Sequence, residues 1–308
     1  MTRARAAAWV YAAVTCVSCR TSPAERPFVP GDAIVAAGER ISIGVPVVLW
    51  TDPGGYDAYR AAPDGALRYR PGRAIAADER GEVREQELAE LQQAIELFVV
   101  HYDACGTARA CFDVLERRGL SVHFLLDIDG TLYQTLDLRE TAWHARKANP
   151  RSVGVEIANI GAYAPSDPSS PLRTWYAVDA AGTRIRLPQE LEDGGVRTPG
   201  FVGRPARPAP VRGVIQGQER EMYALTREQE RALAHLASGL CALFPRIAPE
   251  APRDARGRIV DRALGPEEFA AFRGILGHYH VTTEKVDPGP AFDWEAFLAR
   301  VRALAPTP

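Results

Sequence analysis

Neither sign of charge is in excess in this chain. Its 37 Lys and Arg against 39 Asp and Glu leave a formal net charge of -2 over 308 residues. No global basic field exists to hold nucleic acid, and no motif of a nucleic-acid module is present. There is no internal repeat, so a solenoid is excluded. There is no HExxH, so the one-helix zinc protease site is excluded. Long apolar runs are missing too: the uncharged stretch Ala6 to Cys19 is too short for a comfortable transmembrane helix. What remains is ordinary globular composition, 46% hydrophobic and 25% charged, enough for one large domain or two small ones.

The N-terminus has the layout of an export signal. Arg3 and Arg5 precede the apolar stretch, and small residues close it before a Pro-containing tail. Cys19 follows Val17-Ser18, a degenerate lipoprotein cleavage box with Cys16 where Leu is usual, so a lipid anchor at Cys19 and a plain cleaved signal both stay open. Beyond it stand Cys105, Cys111 and Cys241. Without a further pair, a four-thiolate zinc site is not expected. In an exported protein the CGTARAC spacing of Cys105 and Cys111 suits a small disulfide loop worth about 2 kcal/mol. Cys241 reads as a small core residue on an apolar helix face.

Residues 1–19 are therefore expected to be a signal, and 20–83 a linker and N-terminal extension, with 20 to about 45 Pro/Gly-rich and of little period. From 84 onward helices and strands alternate. REQELAELQQA has helical spacing; IELFVVHYD reads as a buried strand; TARACFDVLERRG is a short helix stopped by Gly119. LSVHFLLDIDGTLYQTLDL reads as a hairpin turning at Asp129-Gly130, and SVGVEIANIG as another apolar strand. Thr226 and Gln229 form a capping box at the head of a long amphipathic helix, and FDWEAFLARVRAL closes the chain. Two segments, about 162–221 and 246–266, break the pattern and read as surface insertions, the first with a hairpin at TWYAVDAAGTRIRLP. The fold class is α/β, a mixed β-sheet flanked by helices.

The chemistry lies in polar residues where strands should be apolar. His101 ends one strand, Glu156 interrupts VGVEIA, and His278 and His280 follow GIL-Gly277. Strand ends converge at a sheet edge, where sites are built. A catalytic zinc takes three protein ligands and leaves a position for water. His101, His278 and Asp287 satisfy that count, Glu156 is the candidate base, and Lys285 the candidate oxyanion partner. Read from chemistry alone, this set competes with satisfied structural histidines at 101 and 123.

Four ordered blocks, FVVHYDACGTARAC, LSVHFLLDIDGTLYQTLDLRETAWHA, NPRSVGVEIAN and GHYHVTTEKVDPGPAFDW, resemble the zinc-dependent N-acetylmuramoyl-L-alanine amidases, the family that includes phage lysozyme-type amidases and peptidoglycan recognition proteins. The likeness covers His101 to Asn159 and Tyr223 to about Leu304. It implies an amidase domain over 84–308, one Zn2+ per chain, and cleavage of the amide between N-acetylmuramic acid and the L-alanine of the stem peptide. It implies zinc ligands at His101, His278 and Asp287, with His280 an alternative because the GHYH register is ambiguous. Glu156 and Lys285 match the catalytic positions. His144 matches a groove position, with Trp143 and Asn159 beside it on the substrate side. The Cys105/Cys111 pair resembles the disulfide loop of peptidoglycan recognition proteins. Val122 stands where phage and animal members carry a catalytic tyrosine, which leaves more of the proton transfer to Glu156. The implied partner is peptidoglycan or muropeptides, and the chain is expected to be a monomer in the periplasm or cell envelope. The rival readings are a muropeptide-binding protein that does not cut, and a zinc hydrolase of another amide.

Overall fold

The stretch expected to be a linker is part of the central sheet. In the computed structural model, which describes residues 29–62, 65–73 and 87–305, β1 (Gly31–Ala36) and β2 (Glu39–Leu49) pair antiparallel through a two-residue turn at Ala37-Gly38, both at positive φ. Its Gly and Pro residues conceal an apolar alternation, Ile41, Ile43, Val45 and Val47, that fits a strand with one face on the core. Gln134 locks the hairpin: its Oε1 accepts from Val35 N at 2.7 Å and its Nε2 donates to Val35 O at 2.8 Å. The segment with the signal-like layout and Cys19 lie outside the described residues.

The chain continues through β3 (Tyr69–Arg70), α1 (Leu88–Ala94), β4 (Leu97–Tyr102) and α2 (Ala108–Arg117). Then come β5 (Phe124–Leu126) and β6 (Leu132–Gln134), which turn at Asp129-Gly130 as expected, followed by β7 (Thr141–Ala142) and β8 (Ser152–Ile157). The first insertion holds α3 (Leu172–Trp175) and two hairpins. One, β9 (Tyr176–Asp179) with β10 (Gly182–Ile185), is legible in the sequence; the other, β11 (Val211–Ile215) with β12 (Gln218–Met222), is not. α4 (Arg227–Leu243), α5 (Pro266–Ala271), β13 (Gly274–Gly277), the single turn α6 (His278–Val281) and α7 (Trp294–Leu304) complete the chain.

The sheet has seven strands in the order β1-β2-β6-β5-β8-β4-β13. β4 pairs parallel with both β8 and β13, so three strands end at the same edge. Being covered on both faces, β4 and β8 read as near-continuous apolar runs. Phe98, Val100, Val153, Val155 and Ile157 belong to the core packed with α4 and α7. Leu97 and Val99 face the opposite side, with Phe269 and Leu276. On α4, Leu233, Leu236 and Leu240 are fully buried, each contributing roughly 1.5–3 kcal/mol. The expected capping box is formed, with Thr226 Oγ1 accepting from Gln229 N and Gln229 Oε1 from Thr226 N. Among the described residues no helix is long and apolar enough to cross a membrane.

Candidate metal centre

Strand parity decides which side chains meet. On β4 the face of Leu97 and Val99 continues to His101; on β8, Val153, Val155 and Ile157 take the other face, leaving Gly154 and Glu156 on the His101 side. The β4–β8 register sets His101 directly opposite Glu156. β13 ends beside Val100, so the residue after Gly277 emerges next to His101. That residue is His278, and Tyr279 N donates to Asp287 O at 3.1 Å, which returns the loop to the same place.

The three side chains converge tightly. His101 Nδ1 lies 3.0 Å from His278 Nδ1 and 3.0 Å from Asp287 Oδ2, and His278 Nδ1 is 3.0 Å from the same carboxylate oxygen. All three residues are buried. Two imidazoles and a carboxylate form an ordinary catalytic zinc donor set, and bonds of about 2.0–2.1 Å at tetrahedral angles would set donors ~3.3 Å apart. The observed triangle is close to that size, so the residues fit a divalent metal ion.

The protonation states agree with that fit. Burial, and next His278, push His101 down to about 4, keeping the imidazole neutral and able to ligate. Burial opposes ionisation of Asp287, but the neighbouring His278 and His101 outweigh it and hold its carboxyl well below the usual range. Glu156 behaves oppositely: burial, then Asp287 and Asp103, push its carboxyl well above the usual range, with Lys285 acting against them. Glu156 Oε1 is 4.0 Å from His101 Nδ1, and Oε2 is buried with no hydrogen-bond partner. A buried carboxyl oxygen without a partner, on a side chain beside the donor triangle, marks Glu156 as a candidate for proton exchange there. Lys285 is half-buried on the loop that carries Asp287.

His144 stands behind His101. Its Nδ1 is 3.0 Å from His101 Nε2, and its Nε2 is 3.2 Å from Ser152 Oγ. With Nδ1 of His101 turned to the donor triangle, the consistent direction is His101 Nε2–H to His144, and His144 Nε2–H to Ser152. Such partners fix the ring and tautomer of a ligating histidine. The family resemblance implies a groove position for His144; in the structure its ring bonds His101 and Ser152. Ser152 and Gly154 were not singled out by sequence reasoning. A glycine inside the apolar strand VGVEIA was the available signal, since glycine in a strand marks a close approach.

The alternative register at GHYH is not the one the structure adopts. His280 is not oriented to the triangle: its Nδ1 accepts from Gly277 N at 2.9 Å and its Nε2 donates to Val260 O at 2.8 Å. Two residues on one helical turn point to nearly opposite sides, so only His278 faces His101. Asn159 is held by the fold: its Nδ2 donates to Tyr223 O and its Oδ1 accepts from Gly161 N. Trp143 remains exposed beside His144. His123 has the structural role expected of it, accepting from Gly154 N and donating to Glu140 O. Cys105 and Cys111 are free thiols in this structure, close enough that Cys111 lowers the Cys105 thiol through a hydrogen bond.

Residues 91–290 match the family profile described as N-acetylmuramoyl-L-alanine amidase. The chain belongs to this family. The amidase is a hydrolase of the amide joining N-acetylmuramic acid to the L-alanine of the peptidoglycan stem peptide. Among curated proteins none matches it. Solved structures are similar to it, among them three amidases. The selenomethionine derivative of AmpD shares 17% identity, over 82% of this chain and 94% of that one, with a TM-score of 0.38. AmiD from E. coli, in complex with the substrate anhydro-N-acetylmuramic acid-L-Ala-D-gamma-Glu-L-Lys, shares 18% over 73% and 65%, with a TM-score of 0.37. The amidase LysC from Clostridium intestinale URNW shares 15% over 69% and 88%, with a TM-score of 0.36.

Proposed function

We propose that the amidase is an exported zinc enzyme that cuts peptidoglycan or its muropeptide fragments, with His101, His278 and Asp287 as ligands. One observation carries the reading: three buried donors at mutual distances of 3.0 Å, with the unpartnered Glu156 carboxylate across the strand register from His101. Zinc held there supplies a Lewis acid for the scissile carbonyl and acidifies water toward a pKa of about 7. Glu156 takes the proton of the attacking water and returns it to the leaving L-alanine amine. Lys285 holds the negative charge that develops on the carbonyl oxygen. His144 and Ser152 keep His101 in one tautomer. Export, with Cys19 as a lipid-anchor site, rests on the N-terminal pattern and accords with the adjacent Cys105 and Cys111, which an oxidising compartment would join.

The test is metal content of the purified full chain by mass spectrometry, alongside release of stem peptide from a muropeptide, for the wild type and His278→Ala. One equivalent of zinc with peptide release, both lost in the variant, is the expected result. Peptide release from a wild type stripped of all metal would overturn the zinc mechanism. An intact Met1 on the protein recovered from cells would overturn export.

A further inference from the structure

The hairpin β11–β12 of the first insertion ends in a two-residue turn, Gln216-Gly217, with both residues at positive φ. Asn is the residue that such a turn favours at its first position. Gln is worse there, yet its longer side chain reaches another element. Gln216 Nε2 donates to Tyr279 O at 2.8 Å and to Thr282 O at 3.0 Å. These are carbonyls at the end of α6, a helix of 4 residues that cannot satisfy them internally. Its Oε1 accepts from Ala263 N at 3.1 Å, and its backbone N donates to Asp261 O at 2.8 Å. One side chain therefore ties the first insertion, the second insertion and the helical turn that begins with His278.

The body of the hairpin presses on the other half of the same loop. A Cβ on Gly289 would lie 2.3 Å from Met222 Sδ, and one on Gly213 would lie 2.8 Å from Pro290 Cβ. The second insertion adds Val260 O and Leu264 N, which bond His280 from the far side of α6. Both insertions thus converge on the segment bearing His278, Lys285 and Asp287.

We propose that Gln216 is a positioning residue for the metal centre. The β11–β12 hairpin is a clamp that sets His278 and Asp287 in their ligating arrangement. This rests on the reading of His101, His278 and Asp287 as metal ligands.

The experiment compares full-length wild type, Gln216→Asn and Gln216→Lys. It reads the melting temperature without metal, zinc affinity by competition with a chromogenic chelator, and the visible spectrum of the cobalt(II) form. Asn suits the turn but cannot reach α6; Lys can donate to both carbonyls. The expected result for the Asn variant is a chain still folded without metal, with a melting temperature a few degrees lower at most, zinc affinity roughly tenfold or more weaker, and an altered cobalt spectrum. The Lys variant should recover most of the affinity. Wild-type affinity and spectrum in the Asn variant would overturn the proposal. So would an Asn variant unfolded at the assay temperature without metal, which makes Gln216 a general contact of the fold. A wild type that binds neither zinc nor cobalt would remove the metal reading itself, a result distinct from either.

Discussion

Gly154 and His144 share one space: a Cβ at position 154 would lie 2.4 Å from His144 Nδ1. The missing side chain on β8 is what lets the imidazole stand behind His101. Gly154→Ala should displace His144 and leave His101 Nε2 without its partner. Zinc affinity should fall by about tenfold or more, and chelator competition measures it. Unchanged affinity would mean that His144 does not support the ligand.

Glu156→Gln preserves shape and removes the base. Turnover on a muropeptide should drop by about a hundredfold or more, with zinc content unchanged by mass spectrometry. A variant that still turns over at the wild-type rate would take Glu156 out of the proton transfer.

Metal should also hold the fold. The proposed ligands come from β4, α6 and the loop after it, so a bound ion would tie elements far apart in sequence. Zinc at a thousand times its Kd should add about 4 kcal/mol to stability. Chelation should lower the wild-type melting temperature and leave His278→Ala unmoved. Equal shifts in both would place the metal elsewhere.

Asp127 supplies a pH dependence away from the site. Its Oδ1 accepts from Ala108 N and Ile128 N, while Oδ2 is buried without a partner. Burial, the largest cause, pushes its carboxyl up from 3.8 to about 7. The folded state therefore binds this proton more tightly than the unfolded chain. Its contribution is complete below about pH 4 and is lost as pH rises toward 7. Asp127→Asn should melt above wild type at about pH 8, by on the order of 1–3 kcal/mol, and the gap should shrink toward pH 4. A gap constant with pH would show that Asp127 does not titrate in this window.

If export holds, Cys105 and Cys111 meet an oxidising compartment. Joining them should stabilise the fold by about 2 kcal/mol. Thiol counting and melting curves with and without reductant check this. Two free thiols on protein recovered from its native compartment would exclude the bond.

Much of the site could be read before the fold was known. His101 and Glu156 stood out because each breaks an apolar strand, and strand parity alone makes their face computable. The Thr226/Gln229 cap and the Asp129-Gly130 turn are signals within a few residues, and the structure contains both. The hairpin at 31–49 was lost because its turn and bulge carry the same Gly and Pro that mark linkers.

By itself the sequence determined the mixed α/β class, the strands that carry His101 and Glu156, and the short list from which a metal centre could be drawn. These follow from residue type and from periods of two and 3.6, which act over a few neighbours. Only the tertiary structure decided that His278 rather than His280 faces His101, that His144 stands against His101, and that Gln216 reaches α6 from an insertion 63 positions earlier. Each depends on where separate elements are brought together. That is set by packing of the whole sheet and its helices, and no local pattern carries it.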